Sequence, residues 1–404
     1  MLHDSECAGY EDDYGPQFDR ILGLNPHFAR ASDRLPALCN VAIDGLIRMY
    51  QGGGHFPQTM RGVGQSDGAG TQPEGDNLRY AVNVAQGLAW MPKSVQRAVL
   101  GGGTAVELAL VCVDRASRSA DPGAIALAAW AAAEMAGFFA ADLFDKLEGF
   151  LAQGNVVQTV PSAWALTAAV AARHLGPTKQ VQQMSAERLL AAQTNTGLFP
   201  HVTPAGGSKW ARAHVGCFAD QVYPIQALAR LAYATQNTEA LSVAEACAAR
   251  IVALQGTAGQ WWWHYDIRDG SVVEGYPVYS VHQHAMAPMA LLDLHDAGGT
   301  DHRAAVVKGL GWIYSRPESS EPIVSPEDGM IWRKIGRSEP PKLVRLVASL
   351  STSVRAGWHL PGLDNVFPPG KVDRECRPYE LGWMLYAWRS RGVVQKLRSV
   401  RSWT

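Results

Sequence analysis

The densest run of chemically capable side chains lies between Gly259 and Met289. Gly259-Gln260-Trp261-Trp262-Trp263-His264-Tyr265-Asp266 leads into Glu274-Gly275-Tyr276-Pro277-Val278-Tyr279-Ser280-Val281-His282-Gln283-His284. Aromatic faces beside hydrogen-bonding groups are what a pocket for a hydroxylated or extended ligand needs. Adjacent side chains cannot all point the same way, so at least one of Trp261, Trp262 and Trp263 is expected in the core. Three more polar clusters share this character: Glu74, Asp76, Arg79 and Tyr80; His201, Lys209, Arg212, His214, Asp220 and Tyr223; and Asp373, Arg374, Glu375, Arg377, Tyr379 and Glu380.

Glycoside cleavage requires a carboxylic acid to protonate the leaving oxygen and a second carboxylate to activate water or attack. Asp76, Asp220, Glu274 and Glu375 come from different connections and can supply such a pair, although helix capping alone accounts for an aspartate at Asp76 or Asp220. Chemistry at a uronic acid instead needs a cation to neutralise the carboxylate and a Tyr or His to move a proton. Arg212, His214, Tyr276, Tyr279 and His282 are eligible. The site expected from these types is Asp76, Asp220, Glu274, Tyr279, His282 and Glu375 for the chemistry. Tyr80, Arg212, His214, Tyr223, Trp261, Trp262, Trp263, His264, Tyr276, His284 and Trp332 are the expected substrate contacts. His282 and His284 diverge on a helix, and with no HExxH motif no metal site is predicted and no cofactor is expected.

Carbocation chemistry is the competing class. Trp90, Trp130, Trp164 and the Trp261–Trp263 run offer rings for cation–π stabilisation, and Asp142, Asp145 and Glu148 are spaced to hold a metal-bound diphosphate. A solvated helix face is the simpler reading of that acidic spacing. A non-catalytic glycan-binding protein is the third alternative.

Helical runs must position these groups. Ile43, Leu46, Ile47 and Tyr50 share one helical face. Further helices are expected at 77–90, 95–99, 104–118, 124–141, 162–175, 181–193, 224–234, 239–254, 286–296, 302–315 and 378–388. Sustained strand alternation is scarce, so the class is all-α. Gly53-Gly54-His55-Phe56-Pro57 is echoed by Thr196-Gly197-Leu198-Phe199-Pro200, and more loosely by Gly259-Gln260-Trp261 and Gly329-Met330-Ile331-Trp332. Each copy reads as a helix, a Gly-aromatic connection and a second helix. Such hairpins stack because neither helix buries its apolar face alone.

On this repeat form the chain resembles the (α/α) toroid superfamily, which includes carbohydrate-processing hydrolases, lyases and epimerases as well as class II terpenoid cyclases. The resemblance implies an (α/α)6-type toroid of helical hairpins, with the polar clusters converging on one cup. The DxDD motif of the cyclases does not occur here, which weighs against that branch. The expected organisation is a loosely ordered N-terminal arm at 1–18 and a single toroid over 19–404.

Composition bounds the rest. A formal charge of −1 over 404 residues gives no general attraction to nucleic acid or anionic membranes. None of the six cysteines forms a CxxC pair, so zinc-ribbon and iron–sulfur signatures are missing. The polar, acidic start does not resemble a signal peptide, and a cytoplasmic protein is expected. The apolar stretch Ala124 to Ala141 approaches a membrane span in length, but its alanines and Glu134 favour a buried helix. The expected partner is a small-molecule or oligosaccharide substrate; the sequence leaves the oligomeric state open.

Overall fold

The computed structural model describes Arg20, residues 29–63, 70–152, 154–204, 212–340 and 343–389, and Val394 and Leu397. The proposed arm at 1–18 and Lys209 lie outside the described residues. Apart from a short helix at Lys93–Val99, the helices that build the ring alternate along the chain between an outer and an inner position. In order they are α1 (Ala29–Met49), α2 (Leu78–Leu88), α3 (Ala105–Ser117), α4 (Pro122–Ala136), α5 (Ala141–Leu151), α6 (Thr159–Ala172), α7 (Lys179–Ala192), α8 (Phe218–Thr235), α9 (Thr238–Ala253), α10 (Ala287–Asp296), α11 (Arg303–Ser315) and α12 (Pro378–Ala387). The even-numbered helices form the inner ring. Each packs on the next, from α2 through α4, α6, α8 and α10 to α12, and α12 packs back against α2.

The inner helices are buried on nearly all sides because they have neighbours on all sides. In α4 every residue from Gly123 to Glu134 is buried, and α6 is buried along almost its whole length. Alanine dominates both, which lets helix axes approach closely without side-chain entropy loss. This accounts for the membrane-like stretch at 124–141; among the described residues no helix is long and apolar enough to cross a membrane. The outer helices bury one face only, as α7 does with Val181, Ser185, Ala186, Leu189 and Ala192. Caps set several starts: Asn77 accepts from Tyr80 N at α2, Thr104 and Glu107 form a capping box at α3, and Asp121 caps α4 ahead of Pro122.

The Gly-aromatic repeat has a structural basis. Gly54, Gly197, Gly259 and Gly329 all take positive φ (80°, 84°, 101° and 67°), a conformation glycine adopts without steric cost. Two residues later the chain drops a fully buried side chain into the core: Phe56, Phe199, Trp261 and Ile331. Ile331, rather than Trp332, is therefore the fourth counterpart of Phe56. Each glycine also lies against the following outer helix, at Val111 of α3, Ala246 of α9 and Lys308 of α11; Gly329 lies against Asp44 and Gly45 of α1, which carries the outer ring round to its beginning.

The connections that enter the inner helices carry short antiparallel strands. Thr59–Val63 pairs with Gly70–Glu74 and with Glu375–Cys376; Val215–Cys217, His264–Asp266 and Val272–Glu274 form a second sheet; Val278–Tyr279, Lys334–Arg337 and Pro369–Asp373 form a third. Strands of two to five residues are too short to show alternation, which is why the sequence reads as helical. The sequence reading also omits a rim helix, Leu343–Val354. Leu343, Leu346, Leu350 and Val354 recur at helical spacing, and this stripe is exposed while Val344 and Ala348 are buried. Three further starts differ: α1 begins before Pro36 and runs through it, α6 begins at Thr159, and α8 at Phe218 with Pro224 inside.

Candidate active site at the mouth of the ring

Below the rim the ring is filled. Trp130, Trp383 and Tyr386 pack ring on ring, with centroids 5.2–5.7 Å apart. Glu134 accepts from Trp130 Nε1 at 2.8 Å and Tyr386 Oη at 2.6 Å and pairs with Arg230. Asp293 binds Arg20, Arg389 and Gln226. Trp130 and Trp164 are thus packed within the interior. Tyr223 packs on Trp164 with centroids 4.9 Å apart, and its hydroxyl accepts from Trp383 Nε1 at 2.9 Å. This contact joins the inner faces of α8 and α12 and makes a floor. Asp220 and Glu380 each lie three residues nearer the N-terminus of their helices, about 4.5 Å closer to the mouth.

The α12 side of the mouth is organised by Arg333. Its Nε reaches Glu380 Oε1 and its Nη1 reaches Glu375 Oε2, both at 3.3 Å. Glu380 is fully buried and completes the α12 cap by accepting from Arg377 N at 3.2 Å. Burial pushes its carboxyl up to about 7 despite the opposing pull of Arg333 and Arg377. Glu375 also meets Arg61 at 3.1 Å and Arg377 at 3.8 Å. Tyr80 accepts from Arg377 Nη1 at 3.0 Å and Gln58 Nε2 at 3.2 Å, and its ring lies 4.8 Å from that of Tyr379.

A second polar group begins at Tyr279. Arg333 sits 5.2 Å over its ring and Trp263 meets it edge-on at 5.0 Å. Trp263 stacks on His264 at 4.1 Å and carries the Arg345 guanidinium 4.0 Å from its ring centroid. His264 Nδ1 lies 3.1 Å from Glu274 Oε2 and its Nε2 lies 3.1 Å from Arg212 Nη2. Glu274 is buried, its Oε1 has no hydrogen-bond partner, and burial pushes it up to about 7 against Arg345, Arg212 and Arg337. Beyond it, Asp220 accepts from Cys217 N at 2.8 Å and faces His201 Nδ1 at 3.1 Å.

The remaining sequence candidates are placed as follows. Asp76 faces outward, to Arg115 of α3 and His55. His214 is buried against Thr352, and Trp332 is buried behind the Thr59–Val63 strand. Trp261 packs on Phe218, whereas Trp262 donates to Leu254 O at the end of α9, so of the three tryptophans only Trp263 lies beside the cup residues. Tyr276 donates to Glu318 under the Arg337 guanidinium. His282 and His284 lie in a π-helical turn, His282–Met286; burial holds both down to about 3, and His284 has no partner at either ring nitrogen. Asp142, in the first turn of outer helix α5, and Asp145 are exposed at the end of the ring opposite the mouth. Sequence reasoning grouped Arg333 with nothing and left Glu380 unselected; the signal for Glu380 was its position three residues after Arg377 at a helix start.

An open cavity of about 950 Å³ adjoins the mouth, lined by Arg61, Lys334, Arg337, Arg345, Lys371 and Arg374 together with Glu321, Glu339, Asp373 and Glu375.

No family model matches the sequence. No curated protein matches it either. Solved structures do. An unsaturated glucuronyl hydrolase specific for heparin superposes with a TM-score of 0.56 at 14% identity, covering 90% of this chain and 98% of that one. The unsaturated glucuronyl hydrolase of Bacillus sp. GL1, responsible for the degradation of glycosaminoglycan, gives 0.52 at 14% identity, covering 89% and 96%. The fold is an (α/α)6 toroid. In that architecture the inner-helix N-termini surround the cup just described.

Proposed function

We propose that this toroid is a carbohydrate-active enzyme that hydrolyses a glycosidic bond next to an acidic sugar. The observation that carries the reading is the pair of carboxyls on Arg333. Glu380 is held near neutrality by burial, and Glu375 is surrounded by Arg61, Arg333 and Arg377. Environments that separate two neighbouring carboxyls in this way assign one as acid and the other as base. Glu380 protonates the leaving oxygen and Glu375 activates water or attacks. Arg345, Arg337 and Lys334 bring positive charge to the cavity, suited to a sugar carboxylate or sulfate. The glucuronyl hydrolases with the same fold support the substrate class by analogy. The packed aromatic interior speaks against an isoprenoid cavity.

Turnover of uronic-acid-terminated oligosaccharides tests this. Glu380→Gln and Glu375→Gln are each expected to lower kcat by about 10²–10⁴-fold, and Glu380→Gln removes a pH limb near 7. Unchanged turnover in both variants would overturn the assignment. A second reading rests on the unpartnered Oε1 of Glu274: loss of activity in Glu274→Gln alone moves the acid there.

A further inference from the structure

We propose that His201, Cys217 and Asp220 form a zinc-binding site at the rim of the ring, a role beyond the hydrolytic reading and independent of Glu375 and Glu380. One donor atom from each residue lies within 4.8 Å of the others. Tetrahedral zinc with bonds of about 2.0–2.3 Å separates its ligands by about 3.3–3.8 Å, so donors up to 4.8 Å apart close on the ion by approaching about 1–1.5 Å, shared between side chains. Imidazole, thiolate and carboxylate together suit zinc better than magnesium or calcium, which take oxygen ligands.

The three donors come from two segments, the connection that holds His201 and the start of α8 that holds Cys217 and Asp220. His201 is anchored through its carbonyl, which accepts from Thr159 N at 3.0 Å. Cys217 is fixed in the strand that pairs with His264. Asp220 is wholly buried in the first turn of α8, and its Oδ2 accepts from Cys217 N at 2.8 Å, the kind of backbone contact that orients a metal-binding carboxylate. Cys217 occupies the N-cap of α8 with Asp220 at the third helical position. Ser, Thr, Asp or Asn cap a helix better than cysteine, so capping alone does not explain a thiol here. The His201 side chain is half exposed, which leaves a coordination position facing solvent at the mouth. Arg212, 3.1 Å from the neighbouring His264, favours an anionic group as the fourth ligand.

The test uses the full chain, stripped with a chelator and titrated with Co(II) and then Zn(II). Wild type should take up stoichiometric Co(II), show a near-ultraviolet thiolate-to-cobalt charge-transfer band, and lose the band as Zn(II) displaces cobalt. Cys217→Ser, which keeps a good cap and hence the fold, should bind without that band. His201→Ala should weaken Zn(II) binding by at least about tenfold. No band in wild type, a band that survives Cys217→Ser, or equal Zn(II) affinity in His201→Ala would each overturn the site. Glu380→Gln should bind metal like wild type, so failure of the zinc site and failure of the hydrolytic pair are separately visible.

Discussion

Replacing Gly382 by alanine tests how the ring is sealed. Gly382 of α12 faces α2, where a Cβ would stand 2.6 Å from Asn83 O, 2.8 Å from Asn83 C and 2.9 Å from Val84 Cα. Gly87 of α2 presents the reciprocal surface to Gly382. All three obstructions are helix backbone, so no rotamer change relieves them and the two helices must separate by about 1 Å. Overpacking of this kind costs about 1–3 kcal/mol, and a backbone obstruction belongs at the upper end. Alanine recovers about 0.5–1 kcal/mol of helix propensity, which leaves a net loss of about 2 kcal/mol. Gly311 supplies the control. It is exposed on α11, with nothing within 4 Å of an added Cβ, so Gly311→Ala should gain about 0.5–1 kcal/mol. Urea unfolding followed by circular dichroism reads both. The two substitutions should move the midpoint in opposite directions. A Gly382→Ala protein as stable as wild type would refute the close packing of α2 on α12.

Glu380 and Glu274, both raised from an ordinary 4.5 to about 7, make a pH prediction. Between those values the folded state holds protons that the unfolded state has lost, so their contribution is full below pH about 4.5 and falls as pH rises through about 7. Glu380→Gln and Glu274→Gln should each flatten the decline in stability over that window, by a few kcal/mol at most. Unfolding midpoints across that range check it, and slopes identical to wild type would contradict the burial of both groups. In the filled interior, Arg230→Met should cost about 3–5 kcal/mol because it strands Glu134 in the core. Arg230→Met with Glu134→Leu should recover most of that loss, and a double variant no more stable than the single would count against an uncompensated charge as the cause.

The ring was legible in the sequence because its geometry repeats. A positive-φ glycine followed by a buried large residue marks the end of an outer helix, and Phe56, Phe199 and Trp261 show that mark plainly. Two of the connections, after α3 and α5, lack it, so the repeat reads as fainter than the architecture it belongs to. The candidate site was legible as a region and less so as a set of partners. Glu375 and Glu274 stand out as rim carboxylates, but what distinguishes Glu380 is full burial beside Arg333, 47 residues away in the chain. Neither quantity has a local sequence pattern. Trp261, Trp262 and Trp263 likewise look equivalent in a row, and only the direction of each side chain separates a core residue from one beside the cup.

The α2–α12 packing has a further consequence. Arg61 pairs in strand register with Glu375, Tyr80 accepts from Arg377, and Gly329 rests on α1. The α12 side of the cup therefore straddles a seam between the first and last inner helices of the ring. Contacts of such long sequence separation form late. A chain that has made every hairpin except α12 has most of its helices but an incomplete cup: Arg333 lacks Glu380, and the buried face of α2 is bare. Assembly of the Arg333–Glu380 contact during refolding should then coincide with completion of the circle, making that pair a reporter of whether the whole ring has formed.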